Sequence, residues 1–244
     1  MPNMILMLGF VPVMVLFAFS VQWASLSGIH SSAERLPVCR DSYLGYSFLL
    51  FSFAWVLFFL YGVNIRFAFL LPVGATFAIA GDYYNLQFEG ARHSMRGESV
   101  FGGIIFFTMV QLCYALAFLA RVSVETLTRS GFLVPLLVAF LLLPLALFFS
   151  RVWNKERPRR IMLAFFAYDL VLGLMVAVAV SSAIAYGGSW YLVAAGAVSY
   201  VVSDSLMGVT TINGRHPISE FQTPWLAYLI GQGLIQYGYT LLLL

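Results

Sequence analysis

Eight runs of about 20 apolar residues follow one another along this chain, at 3–24, 43–63, 66–86, 99–120, 131–150, 161–182, 189–210 and 224–244. A run of that length, wound as a helix, crosses the hydrocarbon core of a bilayer, where only helices and closed barrels satisfy their own backbone polar groups. The runs are continuous and lack the ten-residue alternation of a barrel strand. The chain is therefore expected to be all-α, a polytopic integral membrane bundle of eight transmembrane helices forming a single domain over residues 1–244. Composition agrees: 61% of the residues are hydrophobic and 9% are charged, against roughly 25% charged in a soluble domain.

The same counts exclude several function classes. Two cysteines, Cys39 in a loop and Cys113 inside a span, cannot build a disulfide framework and suggest no redox or thiol-metal chemistry. His30, His93 and His216 all fall between the apolar runs, where no metal site inside the bundle would use them. The net charge of +3 is modest and unevenly placed, as topology requires, and does not suggest nucleic acid. The first run lacks a basic leader and is longer than the core of a signal peptide, so it reads as a retained span.

Orientation follows from the basic residues. The loops after spans one, three, five and seven carry Arg35, Arg40, Arg92, Arg96, Arg151, Lys155, Arg157, Arg159, Arg160 and Arg215; the other loops carry Arg66, Arg121 and Arg129. Ten against three places the first group in the cytoplasm and both termini outside. The stretch "RVWNKERPRR" is read first as an orientation signal and second as an attractor of anionic headgroups. Trp23, Trp153, Trp190 and Trp225 stand at span ends, as interfacial anchors should. The link "NIR" between spans two and three is short enough to make those helices antiparallel neighbours.

Three carboxylates interrupt the apolar runs: Asp82, Asp169 and Asp204. Placing a charged side chain near a bilayer centre costs about 2.5–3.5 kcal/mol on insertion scales, so each asks for a reason. Counted from the cytoplasmic span ends at about 1.5 Å per residue, Asp82 lies about 6 Å deep, Asp169 about 12 Å, Asp204 about 10 Å and Gln232 about 12 Å. Four polar groups from four helices thus share one layer. Neighbours at helical spacing add to it: Tyr200 with Asp204, Tyr228 with Gln232 and Gln236, Asp82 with Asn85, and Gln111 with Tyr114. Taken singly, the glutamines and tyrosines can be interhelical hydrogen bonds that hold the bundle together. The carboxylates cannot be explained so simply, because a serine or asparagine would do that at lower desolvation cost. Gly81, Gly196, Gly231 and Gly233 are read as close-packing contacts, with Gly81 also able to open space beside Asp82.

Two buried carboxyl groups in proximity separate into one neutral acid and one anion, the pair that cleaves acetal-like bonds through an oxocarbenium-like transition state. The same pair could instead relay protons in a proton-coupled small-molecule or lipid transporter. Ser203 and Ser205, beside Asp204, are poor nucleophile candidates, since no histidine lies within a span to activate them.

The segments "FAIAGDYYNL" (77–86), "GGIIFFTMVQLCYALAF" (102–118), "GAVSYVVSDSLMG" (196–208) and "LAYLIGQGLIQYG" (226–238) resemble, in order and spacing, the signatures of the YhhN-like lysoplasmalogenase family. Those signatures pair a Gly-Asp at the end of the third span with a Ser-Asp in the seventh and a Tyr-x-x-x-Gln motif in the last. The chain departs from the pattern in two places: it reads "RDSYLGYSFLL" where a Lys-Pro usually opens the second span, and Gln111 stands where a histidine is expected. The resemblance implies a membrane-embedded hydrolase that cleaves the vinyl ether bond of lysoplasmalogens to a fatty aldehyde and a glycerophospho-alcohol, with a lysophospholipid as substrate and no metal or organic cofactor. It implies Asp82 and Asp204 as the catalytic pair. Asn85, Tyr114, Gln111, Tyr200, Ser203 and Gln232 are expected to shape the substrate pocket, Asp169 joins them on depth alone, and Arg92, Arg96 and Arg215 are candidates to hold the phosphate at the rim.

Overall fold

A computed structural model describes residues 32–86, 99–123, 125, 133–213 and 222–244. Among the described residues the secondary structure is entirely helical. The described residues form seven helices: α1 (Ser32–Leu57, continued by a π-helical turn Phe58–Gly62), α2 (Leu70–Asn85), α3 (Ser99–Leu119), α4 (Leu133–Leu147, continued by a π-helical turn Phe148–Val152), α5 (Arg159–Tyr186), α6 (Trp190–Asn213) and α7 (Gln222–Leu241). They coincide with the second to eighth apolar runs; the first run, 3–24, lies outside the described residues, as do His30, His93, His216 and Trp23.

Among the described residues, four helical segments are long and apolar enough to cross a membrane: Tyr43–Gly62, Val100–Leu119, Arg159–Tyr186 and Trp190–Asn213. They fit a multi-pass membrane protein. The outward faces agree, because Phe48, Phe59, Leu142, Leu163, Ile184 and Val202 all expose large apolar side chains, which suit a lipid surrounding better than water. The remaining helices are less clear-cut by length or polarity: α2 has 16 residues, about 24 Å of rise, and α7 carries a row of tyrosines and glutamines.

Neighbouring helices pack in the order α1, α2, α3, α5, α6, α7, and α7 returns to α1; α4 stands outside this ring, against α5. The short link at 63–69 does make α1 and α2 neighbours. The tightest pairing is α6 with α7. A Cβ on Gly196 would lie 2.7 Å from the Gly231 carbonyl oxygen, and one on Gly231 would lie 2.9 Å from that of Gly196. Only paired glycines let the two backbones approach so closely, which is how helices gain dispersion contact where lipid removes the hydrophobic drive.

The interior of the ring is filled by buried side chains from each of its helices. Phe118 packs edge-on against Trp190 and beside Tyr239, whose hydroxyl donates to the Ala117 carbonyl. Trp190 and Trp225 are buried, at 4% and 2% exposure, so these two serve the core instead of anchoring span ends; Trp153 is 42% exposed. At the other end, Asn154 and Arg157 from the basic 153–158 link bond to Asn213 and the Ile212 carbonyl, tying that link to the end of α6. The Arg121 guanidinium donates to the Leu242 carbonyl and closes the opposite end.

Candidate active site

Asp82 sits in the last turn of α2 with 1% exposure. Its Oδ2 accepts two hydrogen bonds from hydroxyls on two other helices: one from Ser47 of α1 and one, at 2.8 Å, from Tyr228 of α7. The Tyr228 ring is fixed on three sides by edge-on contacts with Phe107, Tyr200 and Trp225, and Trp225 is itself stacked on Tyr43. A carboxyl group buried this far needs its lone pairs occupied. Here α1 and α7 supply the donors.

Asp204 of α6 is half-buried, and its Oδ2 accepts from the Tyr168 hydroxyl of α5. The same hydroxyl accepts from the Gln111 amide of α3 at 3.4 Å. Each aspartate is thus held by a tyrosine from a different helix.

The two carboxyl groups line one cleft of about 290 Å³, together with Asn85, Phe107, Ser203, Met207, Pro224, Trp225 and Tyr228. A second cleft of about 420 Å³, running between α3, α5 and α6, shares Asn85, Phe107, Asp204 and Met207 with the first and adds Tyr168 and Phe165. Asp204 and Asn85 are therefore the polar groups that face both. Neither cleft has a lysine or arginine among its described lining residues. Asp204, which lines both, is nearer the end of the bundle that carries the basic 153–158 link, about 13 Å of helix from Asn213, which bonds that link, and about 21 Å from Trp190.

Behind the clefts lies a buried chain of hydrogen bonds. The Tyr114 hydroxyl donates to Gln232 Oε1 at 2.6 Å, and Gln232 Nε2 donates to the Tyr200 hydroxyl at 2.8 Å. All three residues are at most 1% exposed. The chain joins α3, α7 and α6, and the Tyr200 ring then touches Tyr228.

Of the residues expected from sequence, the structure brings Asp82, Asp204, Asn85 and Ser203 to the first cleft, with the Ser203 hydroxyl committed to the Pro224 carbonyl at 2.8 Å. It sets Tyr114, Tyr200 and Gln232 one layer behind, and Gln111 behind Tyr168. Asp169 is half-buried and lines neither cleft; its neighbour Tyr168 reaches Asp204 instead. Gly81 makes room for an aromatic ring, since a Cβ there would lie 2.7 Å from Phe107. Arg92, Arg96 and Arg215 lie outside the described residues. Ser47 and Tyr168 were not singled out in the sequence, although Ser47 falls on a buried stripe of Tyr43, Tyr46, Leu50, Ala54 and Leu57 at helical spacing.

Residues 42–239 match the YhhN family. The chain belongs to that family. The match takes in every residue of both clefts and of the buried chain behind them, from Ser47 to Gln232. No curated protein and no solved structure matches this YhhN family chain. Among its described residues no three histidine, cysteine, aspartate or glutamate side chains cluster as metal ligands would.

Proposed function

We propose that the protein is a membrane-embedded hydrolase that cleaves the vinyl ether bond of lysoplasmalogens, releasing a fatty aldehyde and a glycerophospho-alcohol. The observation that carries this reading is the shared cleft, with two carboxyl groups from two helices on one small space inside a lipid-facing bundle. Membership of the YhhN family supports it, through the resemblance of the Gly-Asp and Ser-Asp segments to the lysoplasmalogenase signatures. Depth supports it too. The vinyl ether of a lysolipid hangs from the glycerol, just inside the headgroup layer, and Asp82 lies one helical turn from the end of α2.

The chemistry needs one acid, one anion and water. Asp204, with a single donated bond, transfers its proton to the outer carbon of the enol ether; the carbon–carbon π pair forms the new C–H bond, and the ether oxygen shares its lone pair to give an oxocarbenium ion. Asp82, with both donated bonds on one oxygen, faces that cation as the anion. Water adds to the cation and loses a proton to a carboxylate, forming a hemiacetal. The C–O bond to the glycerol then breaks: the carboxyl group that took the water's proton gives it to the departing glycerol oxygen, and the hemiacetal O–H proton passes to Asp204, leaving aldehyde, alcohol and the starting protonation. We place the cleft end in the cytoplasmic half of the bilayer, on the strength of the basic residues in the 151–160 stretch.

The test is to incubate the purified protein in detergent with a 1-alkenyl-lysophosphatidylethanolamine, with and without chelator, and measure fatty aldehyde. Aldehyde release at equal rates in both supports the reading. No aldehyde, together with proton-driven solute uptake in vesicles that depends on the same aspartates, would replace it with the transporter.

A further inference from the structure

We infer that Tyr168 is a positioning residue for Asp204 and fixes which of its oxygens carries the reactive proton. Nothing in the sequence pattern marks this residue; its neighbour Asp169 draws the eye in α5. The inference rests on the acid role given to Asp204 above.

The geometry is specific. The Tyr168 hydroxyl donates to Asp204 Oδ2, and its own lone pair accepts from the Gln111 amide. A hydroxyl has one proton to give, so the Gln111 bond directs it toward Asp204. An oxygen that accepts this bond serves as the carbonyl oxygen of a neutral carboxyl group. The acid proton is thereby assigned to Oδ1. Tyr168 is buried at 5% exposure, and Asp204 and Tyr168 together line the second cleft, while Asp204 and Asn85 also line the first. The scissile bond is placed where the two clefts meet, beside Asp204 and Asn85. After the proton leaves, the same hydroxyl bonds the resulting anion without moving, so no reorganisation accompanies the transfer.

The test pairs kinetics with spectroscopy on the full-length protein in detergent. Tyr168→Phe keeps the ring that packs in the core and removes only the hydroxyl. We expect its kcat to fall about 10- to 100-fold, the worth of one hydrogen bond to a charged group, with KM within about twofold of wild type. Gln111→Leu, which keeps the hydroxyl but frees its direction, should show a smaller fall of the same kind. The infrared carboxyl band that disappears in Asp204→Asn should shift in Tyr168→Phe, a readout that does not depend on which lipid is cleaved. The inference is overturned by wild-type kcat in Tyr168→Phe, by a fall that only tracks lost thermal stability, or by a dependence on Asp169→Asn and not on Tyr168→Phe. An unshifted infrared band overturns it even if no aldehyde is formed by wild type, which separates its failure from failure of the vinyl ether reading.

Discussion

The Tyr228 hydroxyl donates a 2.8 Å hydrogen bond to Asp82 Oδ2, so the seventh described helix holds the carboxyl group of the second. Ser47 donates to the same oxygen from α1. With both bonds in place the carboxylate is held by two hydroxyls, and no lysine or arginine stands among the described residues that line its cleft. In the proposed reaction, removing one donor should therefore weaken the anion that faces the oxocarbenium ion. We expect Tyr228→Phe and Ser47→Ala each to lower kcat by about 10- to 100-fold, and the double variant to lose more, measured by aldehyde release under saturating lipid.

Asn85 lies in the space left by Gly103. A Cβ on Gly103 would lie 2.0 Å from Asn85 Oδ1, an overlap that the asparagine side chain can relieve only by swinging away. Gly103→Ala should therefore displace Asn85 from the junction of the two clefts while the helices stay in place. A fall in kcat/KM with an unchanged melting temperature is the expected pair of results.

The Tyr114–Gln232–Tyr200 chain ties α3, α7 and α6 together. Replacing Gln232 by Leu leaves two buried hydroxyls without the partner each has now, and orphaning buried polar groups costs about 1–3 kcal/mol. Thermal unfolding in detergent should show a lower midpoint for Gln232→Leu than for wild type.

Helix pairing can be tested apart from chemistry. At Gly196 the facing Gly231 carbonyl leaves no room for a side chain, so Gly196→Leu must push α6 and α7 apart. A loss of about 2 kcal/mol or more is expected, read as aggregation or a lowered unfolding midpoint. A variant as stable as wild type would contradict the close packing.

Hydropathy alone located the helices well. Seven of the eight apolar runs correspond to described helices, because chain length and the absence of charge are what a bilayer demands. Depth counting grouped Asp82, Asp169, Asp204 and Gln232; the structure brings Asp82 and Asp204 to one cleft, sets Gln232 behind it on Tyr200, and leaves Asp169 outside both clefts. Facing was not legible. These helices are apolar nearly all round, so no amphipathic stripe distinguishes the inner face from the lipid face. Asp169 and Tyr168 share a depth, yet successive helical residues point about 100° apart, and it is Tyr168 that turns to Asp204. Trp190 and Trp225 were misread for a related reason: a tryptophan near a helix end fits an interface by position, while these two pack on Phe118 and Tyr43. Ser47 shows the converse, a residue too ordinary in a serine-containing helix to be noticed until the bundle brought it to Asp82.

The central claim is that Asp82 and Asp204 together break a vinyl ether. Its most direct measurement is aldehyde release from 1-alkenyl-lysophosphatidylethanolamine by purified wild type, Asp82→Asn and Asp204→Asn, with folding checked by thermal unfolding. Turnover by wild type and none above background in either folded variant is the expected result. Wild-type rates in Asp82→Asn or Asp204→Asn would contradict it.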